Sequence, residues 1–77
     1  IDPENPPHNL NNLIRAYYPW PGVWFETIFA GKNRRFKLLP EGRIQIEGKN
    51  IMTYKDFMNG YGEEGRELVN KLELVNK

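Results

Sequence analysis

The 77-residue chain contains no cysteine and a single histidine, His8. The first absence removes disulfide staples, thiolate nucleophiles and cysteine-ligated zinc, and a lone imidazole cannot build a His-rich metal cage. Long hydrophobic runs are also missing: the apolar stretches fall far short of the roughly 20 residues needed to cross a bilayer, and none follows a basic start as in a signal peptide. No membrane partner is expected. Length is the third shortage, since a chain this small makes one domain that buries about 60% of the surface its unfolded form exposes, without room for a large multi-part active site. The first residue is Ile1 rather than Met, as expected of a processed chain or of a piece of a longer protein.

Aromatic residues are plentiful, with two Trp, four Tyr and four Phe. Each large ring can bury about 150–250 Å², so packing alone can hold the domain. The net charge of +1 conceals an uneven distribution. Residues 1–31 carry Asp2, Glu4 and Glu26 against Arg15, a net −2. Residues 32–55 carry Lys32, Arg34, Arg35, Lys37, Arg43, Lys49 and Lys55 against Glu41 and Glu47, a net +5. Residues 56–77 return to −2, with Asp56, Glu63, Glu64, Glu67 and Glu73 against Arg66, Lys71 and Lys77. Screening confines fields to about 8 Å at physiological salt, so the middle segment can attract a polyanion although the whole chain is nearly neutral.

Residues 1–7 carry Pro3, Pro6 and Pro7 and read as an extended linker remnant, leaving 8–77 as the folded domain. Leu10, Leu13, Ile14 and Tyr17 then fall on one face of a short helix over residues 8–17, which Pro19 stops. The Pro19-Trp20-Pro21-Gly22 run makes a rigid corner. Residues 23–30 are β-branched and aromatic with apolar groups on both faces, predicting a largely buried strand. Gly31-Lys32-Asn33 is expected as a loop, residues 34–39 as its hairpin partner, Pro40-Glu41-Gly42 as a tight turn, and residues 43–47 as a third strand with Ile44 and Ile46 inward. Gly48-Lys49-Asn50 breaks the sheet and Ile51 and Met52 serve as anchors. Thr53 and Asp56 resemble a capping box for a helix to Asn59 that Gly60 ends, and Leu68, Leu72 and Val75 mark a terminal helix over residues 63–75. The expected fold is mainly β, a small open OB-like antiparallel barrel or sheet with a short N-terminal helix and C-terminal helices.

The segment Ile14-Arg15-Ala16-Tyr17-Tyr18-Pro19-Trp20-Pro21-Gly22 resembles the signature that opens the C-terminal domain of methionyl-tRNA formyltransferases. Leu-Gln-type closing strand, Gly-Lys pair and short helix of that family are resembled by Ile44-Gln45-Ile46-Glu47-Gly48-Lys49, then Met52-Thr53, Phe57 and Asn59-Gly60. The two motifs stand in family order over roughly residues 8–61, and only Pro40-Glu41-Gly42-Arg43 lies where the family has further strands, so the resemblance is to a shortened variant. It implies an OB-like domain that helps hold initiator methionyl-tRNA for a formyltransferase acting in the cytoplasm in translation initiation. It also implies that catalysis and the formyl donor, 10-formyltetrahydrofolate, belong to a separate N-terminal Rossmann-like domain of the parent. No catalytic residue and no cofactor is expected in this chain. The alternatives are the C-terminal domain of a sugar N-formyltransferase, which shares the Pro-Trp-Pro-Gly corner, and a noncatalytic module whose exposed side covers a partner domain.

Within that frame the candidate nucleic-acid contacts are Arg15, Lys32, Arg34, Arg35, Lys37, Arg43 and Lys49, with Lys55 depending on helix orientation. Lys32, Arg34, Arg35 and Lys37 place four cations in six residues at a hairpin tip, which suits phosphate contacts, the alternative being a solvated edge that resists sheet-to-sheet aggregation. Arg15 either braces the Trp20 corner by stacking or meets phosphate. Trp20 and Trp24 read as structural anchors of the bend, with base stacking as the other possibility. The acids at Glu63, Glu64 and Glu67 fit the dipole of a helix start and suggest no metal or acid–base site.

Overall fold

The computed structural model describes residues 1–74. Helix α1 (Leu10–Ala16) is followed by strands β1 (Val23–Phe29), β2 (Lys32–Leu39), β3 (Arg43–Ile46) and β4 (Met52–Thr53), and then by helix α2 (Tyr54–Leu72). The strands make one four-stranded antiparallel sheet in the order β1-β2-β3-β4. β1 and β4 are its edges, so the open form of the expected architecture is the one adopted. The two-residue β4, which pairs Thr53 with Arg43 and Met52 with Ile44, was not expected.

Turn geometry sets the register. Phe29 pairs with Lys32, leaving Ala30 and Gly31 as a two-residue loop with φ of 53° and 89°. Positive φ at both central positions is the geometry that matches the twist of a hairpin. This corrects the loop expected at Gly31-Lys32-Asn33: because Ala30 takes the first left-handed position, Lys32 and Asn33 already belong to β2.

One face of the sheet is packed. Val23, Phe25 and Phe29 of β1, Phe36 and Leu38 of β2, and Ile44 and Ile46 of β3 form one buried cluster with helical residues that include Leu10, Ile14, Phe57, Leu68, Val69 and Leu72. Phe36 stacks on Phe25 at 5.0 Å and meets Phe29 edge-on at 5.3 Å, while Phe29 stacks on Phe57 at 5.4 Å. The reading of β1 as a largely buried strand is therefore corrected to one buried on a single face. Its alternate residues Trp24, Glu26 and Ile28 are exposed, Ile28 at 68%, because both helices contribute to the cluster on the inner face alone.

Helix α2 begins as the capping motif implies, with Thr53 Oγ1 accepting from the Asp56 amide at 3.0 Å. The break comes at Gly62 (φ 65°, ψ −136°), two residues beyond the Gly60 stop read from sequence, so the two expected helices are halves of one kinked element. Gly65 lets the halves approach: a Cβ there would lie 3.1 Å from the Phe57 carbonyl oxygen. Leu68 and Leu72 are buried on the expected stripe, whereas Val75 lies outside the described residues. Three local readings shift. Helix α1 is shorter than residues 8–17, and Tyr17 is 47% exposed beyond its end rather than on the apolar face. Ile51 is also 47% exposed, leaving Met52 as the anchor. Residues 1–7 turn back on the domain rather than running extended, with Pro3 buried, the Ile1 nitrogen donating to the Trp24 carbonyl at 2.8 Å and Glu4 paired with Lys71 at 2.8 Å.

Phe57 is fully buried among rings, so Phe57→Ala is expected to cost about 3–5 kcal/mol in urea unfolding followed by circular dichroism, whereas Ile28→Thr on the open face stays within about 0.5 kcal/mol. Desolvation raises the pKa of the Tyr54 phenol from 10.0 to about 12. The unfolded chain therefore releases this proton first: the contribution is intact below pH 10 and is lost as pH rises toward about 12. A pH series of urea midpoints is expected to show Tyr54→Phe losing less stability than the parent across that interval.

Candidate nucleic-acid interface

Strand alternation sorts the basic residues by face. On β2, Lys32 and Arg34 share parity with Phe36 and Leu38 and so lie at the inner-face end of the hairpin, while Arg35 and Lys37 point to the open side. The tip cations are thus divided between two faces. Arg34 Nε donates to the Phe29 carbonyl at 2.9 Å and is partly buried, whereas Lys32 is exposed. Arg15 bonds its own helix, Nη2 to Asn12 Oδ1 at 2.7 Å; the cations recorded over a tryptophan ring belong to β2, and the ring is Trp24. Lys49 is exposed in the β3–β4 turn, where its carbonyl accepts from Gln45 Nε2 at 3.0 Å, and Lys55 is exposed in the first turn of α2.

The open face is laid out in rungs. Trp24, Lys37 and Gln45 face one another across β1, β2 and β3, and Leu39, Arg43 and Thr53 make the neighbouring rung across β2, β3 and β4. Lys37 Nζ lies 5.1 Å from the centroid of the Trp24 ring and Arg35 Cζ lies 5.9 Å from it. Such contacts contribute about 0.5–1 kcal/mol each at exposed sites, which biases a long side chain toward the ring without immobilising it. Arg35 is also paired with Glu26 at 3.4 Å, so its charge is partly answered. Lys37 and Arg43 pair with no carboxylate among the described residues. Arg43 is oriented by its Nε bond to the Pro40 carbonyl at 3.0 Å and lies 5.9 Å from the Tyr18 ring. The free cations of the open face therefore stand next to the aromatic bend over residues 17–22.

That bend is fixed by local chemistry. The Tyr18-Pro19 and Trp20-Pro21 bonds are cis, the Gly22 amide donates to the Tyr17 carbonyl at 2.9 Å, and Trp24 Nε1 donates to the Pro21 carbonyl at 2.9 Å. Gly22 has φ of 85°, and a Cβ on it would fall 2.8 Å from Lys37 Cε and 3.2 Å from Trp24 Nε1. The glycine of the corner thus serves the cation–aromatic pair directly. Trp20 departs from the anchor reading: its side is 83% exposed, because the bend is held by Gly22, Pro21 and Trp24 and leaves no apolar partner for the indole. The participation of Tyr18 was missed in the sequence; its signal was a tyrosine immediately before a proline-rich bend, which places a ring over the adjacent sheet.

Among the described residues no polar or charged side chain is buried, and no group of three or more His, Cys, Asp or Glu side chains is placed to hold a metal ion. Among the described residues, a concavity of about 140 Å³ lies against Thr27, Ile28, Phe29 and Leu68 and another of about 320 Å³ beside Pro6, Leu10 and Leu72, neither lined by Trp24, Lys37 or Arg43. What the arrangement offers is surface recognition of an anion with π faces.

Comparison with known proteins bears out the resemblance read from the motifs. The chain is 42% identical over 48 residues to a methionyl-tRNA formyltransferase of Sinorhizobium medicae (strain WSM419), a match covering 62% of this chain and 15% of the relative. It is 40% identical over 52 residues to that of Rhizobium rhizogenes (strain K84 / ATCC BAA-868), covering 68% of this chain and 16% of the relative. A shorter match, 44% over 39 residues, is to that of Sinorhizobium fredii (strain NBRC 101917 / NGR234), covering 51% and 12%. The chain is similar to a small part of these relatives, as a C-terminal fragment of such a protein would be. No family model matches. No solved structure matches either. No described helix is long and apolar enough to cross a membrane.

Gly22→Ala is expected to destabilise the domain by about 1–2 kcal/mol through its left-handed backbone and to displace Lys37 from the Trp24 ring. The readout is the ring-current shift of the Lys37 Hε protons in NMR spectra. Gly31→Ala carries the same backbone penalty with open space around it and leaves that shift unchanged.

Proposed function

We propose that this chain is the tRNA-docking C-terminal domain of a methionyl-tRNA formyltransferase, noncatalytic by itself and serving translation initiation in the cytoplasm. Initiator methionyl-tRNA is the partner, and a Rossmann-like domain of the same parent holds the catalytic centre and the formyl donor, 10-formyltetrahydrofolate. The observation that carries the reading is the juxtaposition, on the open face of the sheet, of Trp24 and Tyr18 with Lys37 and Arg43, which pair with no carboxylate among the described residues. Similarity to methionyl-tRNA formyltransferases supports tRNA as the polyanion. The sugar N-formyltransferase alternative gains no support from those relatives.

Contacts of this kind engage phosphate and ribose, giving affinity and register, while sequence identity is read elsewhere. Cations that meet phosphate release its counterions, so binding is weak for the isolated domain and falls as salt rises. Lys37 and Arg43 carry most of that dependence. Arg35, opposed by Glu26, contributes less, and Arg15, Lys32, Arg34 and Lys49 lie outside the central rungs.

Titration of tRNA at several salt concentrations tests this. Lys37→Gln and Arg43→Gln are each expected to lower the slope of log affinity against log salt by about 0.7–0.9, and Lys32→Gln to change it little. Unchanged slope and affinity in both open-face variants would refute the assignment. Loss of docking to a Rossmann-like partner in those variants, with tRNA binding intact, would identify a domain-interaction module instead.

A further inference from the structure

We infer that Trp20 is a stacking platform for an unpaired base of the bound RNA, an inference that rests on the RNA-docking role proposed above. An indole that is 83% exposed gains almost nothing for the fold, yet this one stands on a backbone bend that is closed on both sides. Pro19 and Pro21 restrict the backbone on either side, and the bend is closed by the Gly22 amide on the Tyr17 carbonyl and by Trp24 Nε1 on the Pro21 carbonyl. Less backbone entropy is therefore lost when the ring meets a ligand than on an unrestrained loop.

Its surroundings specify the ligand. Gly22 brings the bend against Lys37, and Arg43 lies beside the Tyr18 ring two positions before Trp20. Neither cation is answered by a carboxylate among the described residues. An exposed ring on a bend whose neighbouring rings, Tyr18 and Trp24, lie beside cations suits a polymer that alternates π surfaces with phosphates. Paired bases hide their faces within a helix, so the partner of Trp20 is a nucleotide in a single-stranded end or loop. Tyr17 and Tyr18, 47% and 43% exposed on the same bend, offer faces for a neighbouring base.

The test uses the 77-residue chain and an RNA hairpin with a short single-stranded overhang carrying 2-aminopurine, beside the same hairpin with a blunt end. Trp20→Ala is expected to weaken binding of the overhang RNA roughly 5- to 150-fold, to abolish quenching of the 2-aminopurine and to leave both the salt slope and blunt-hairpin binding unchanged. Trp20→Phe restores most of the affinity and the quenching, and Trp20→Leu does not. Equal binding and quenching by the Trp20→Ala variant, with Lys37→Gln still lowering the salt slope, would overturn the stacking role while leaving RNA docking in place. Trp20→Leu performing as well as Trp20→Phe would likewise overturn it. If neither Trp20→Ala nor Lys37→Gln alters RNA binding, both readings fall. Thermal melts verify folding, and should Trp20→Ala melt early, the comparison of Trp20→Phe with Trp20→Leu decides.

Discussion

Phe36 sits where the domain is tied together: fully buried, it stacks on Phe25, meets Phe29 edge-on and lies 6.2 Å from Phe57 on the helix. That aromatic contact is the seam between sheet and helix, and it exists on one side only. A sheet needs an apolar layer against each face that it buries. Here α1 and both halves of α2 pack on the same cluster and leave the other face largely open, with Leu39 its one buried strand residue among those described. The open face follows from the one-sided core, and the chemistry of the open face follows from which residues alternation leaves there.

Alternation leaves a graded surface. At one end Arg35 stands across from Glu26, and the Glu47 amide bonds the Arg35 carbonyl at 2.8 Å, bringing a second acid to the neighbourhood. Toward the other end the rungs carry Lys37 and Arg43, without carboxylate partners among the described residues, next to Trp24 and Tyr18. The basic middle of the sequence therefore acts through a subset of its cations. Gly22 links this surface to the corner motif, since its missing side chain admits Lys37 and the Trp24 indole. A motif that reads as a bend in sequence thus also shapes a surface.

Much of the fold was legible because period and punctuation agreed. Ile44 and Ile46 alternate with polar residues, and they face the core. Thr53 followed by Asp56 announces a helix start, and that bond is present. Where apolar residues fill both parities the pattern is silent: Trp24, Ile28 and their neighbours could not reveal which face of β1 would be covered, because cover depends on helices distant in sequence. Gly60 and Gly62 are equally able to end a helix, and packing around Gly65 selects the second as the kink. The division of Lys32 and Arg34 from Arg35 and Lys37 depended on the loop closing at Ala30-Gly31. The exposure of Trp20 had no signal at all, since a tryptophan between prolines fits an anchor as well as a platform.

The central claim is that RNA meets this domain on the uncovered face of its sheet. The most direct measurement is a two-dimensional NMR titration of the isotope-labelled chain with tRNA, including the indole Nε1–H signals. The account predicts that perturbations concentrate on Trp24, Lys37, Arg43 and residues 17–22, and spare Lys32, Arg34 and the groove beside Leu68. Perturbations confined to that groove or to the hairpin tip, with the Trp24 and Lys37 signals unmoved, would contradict it.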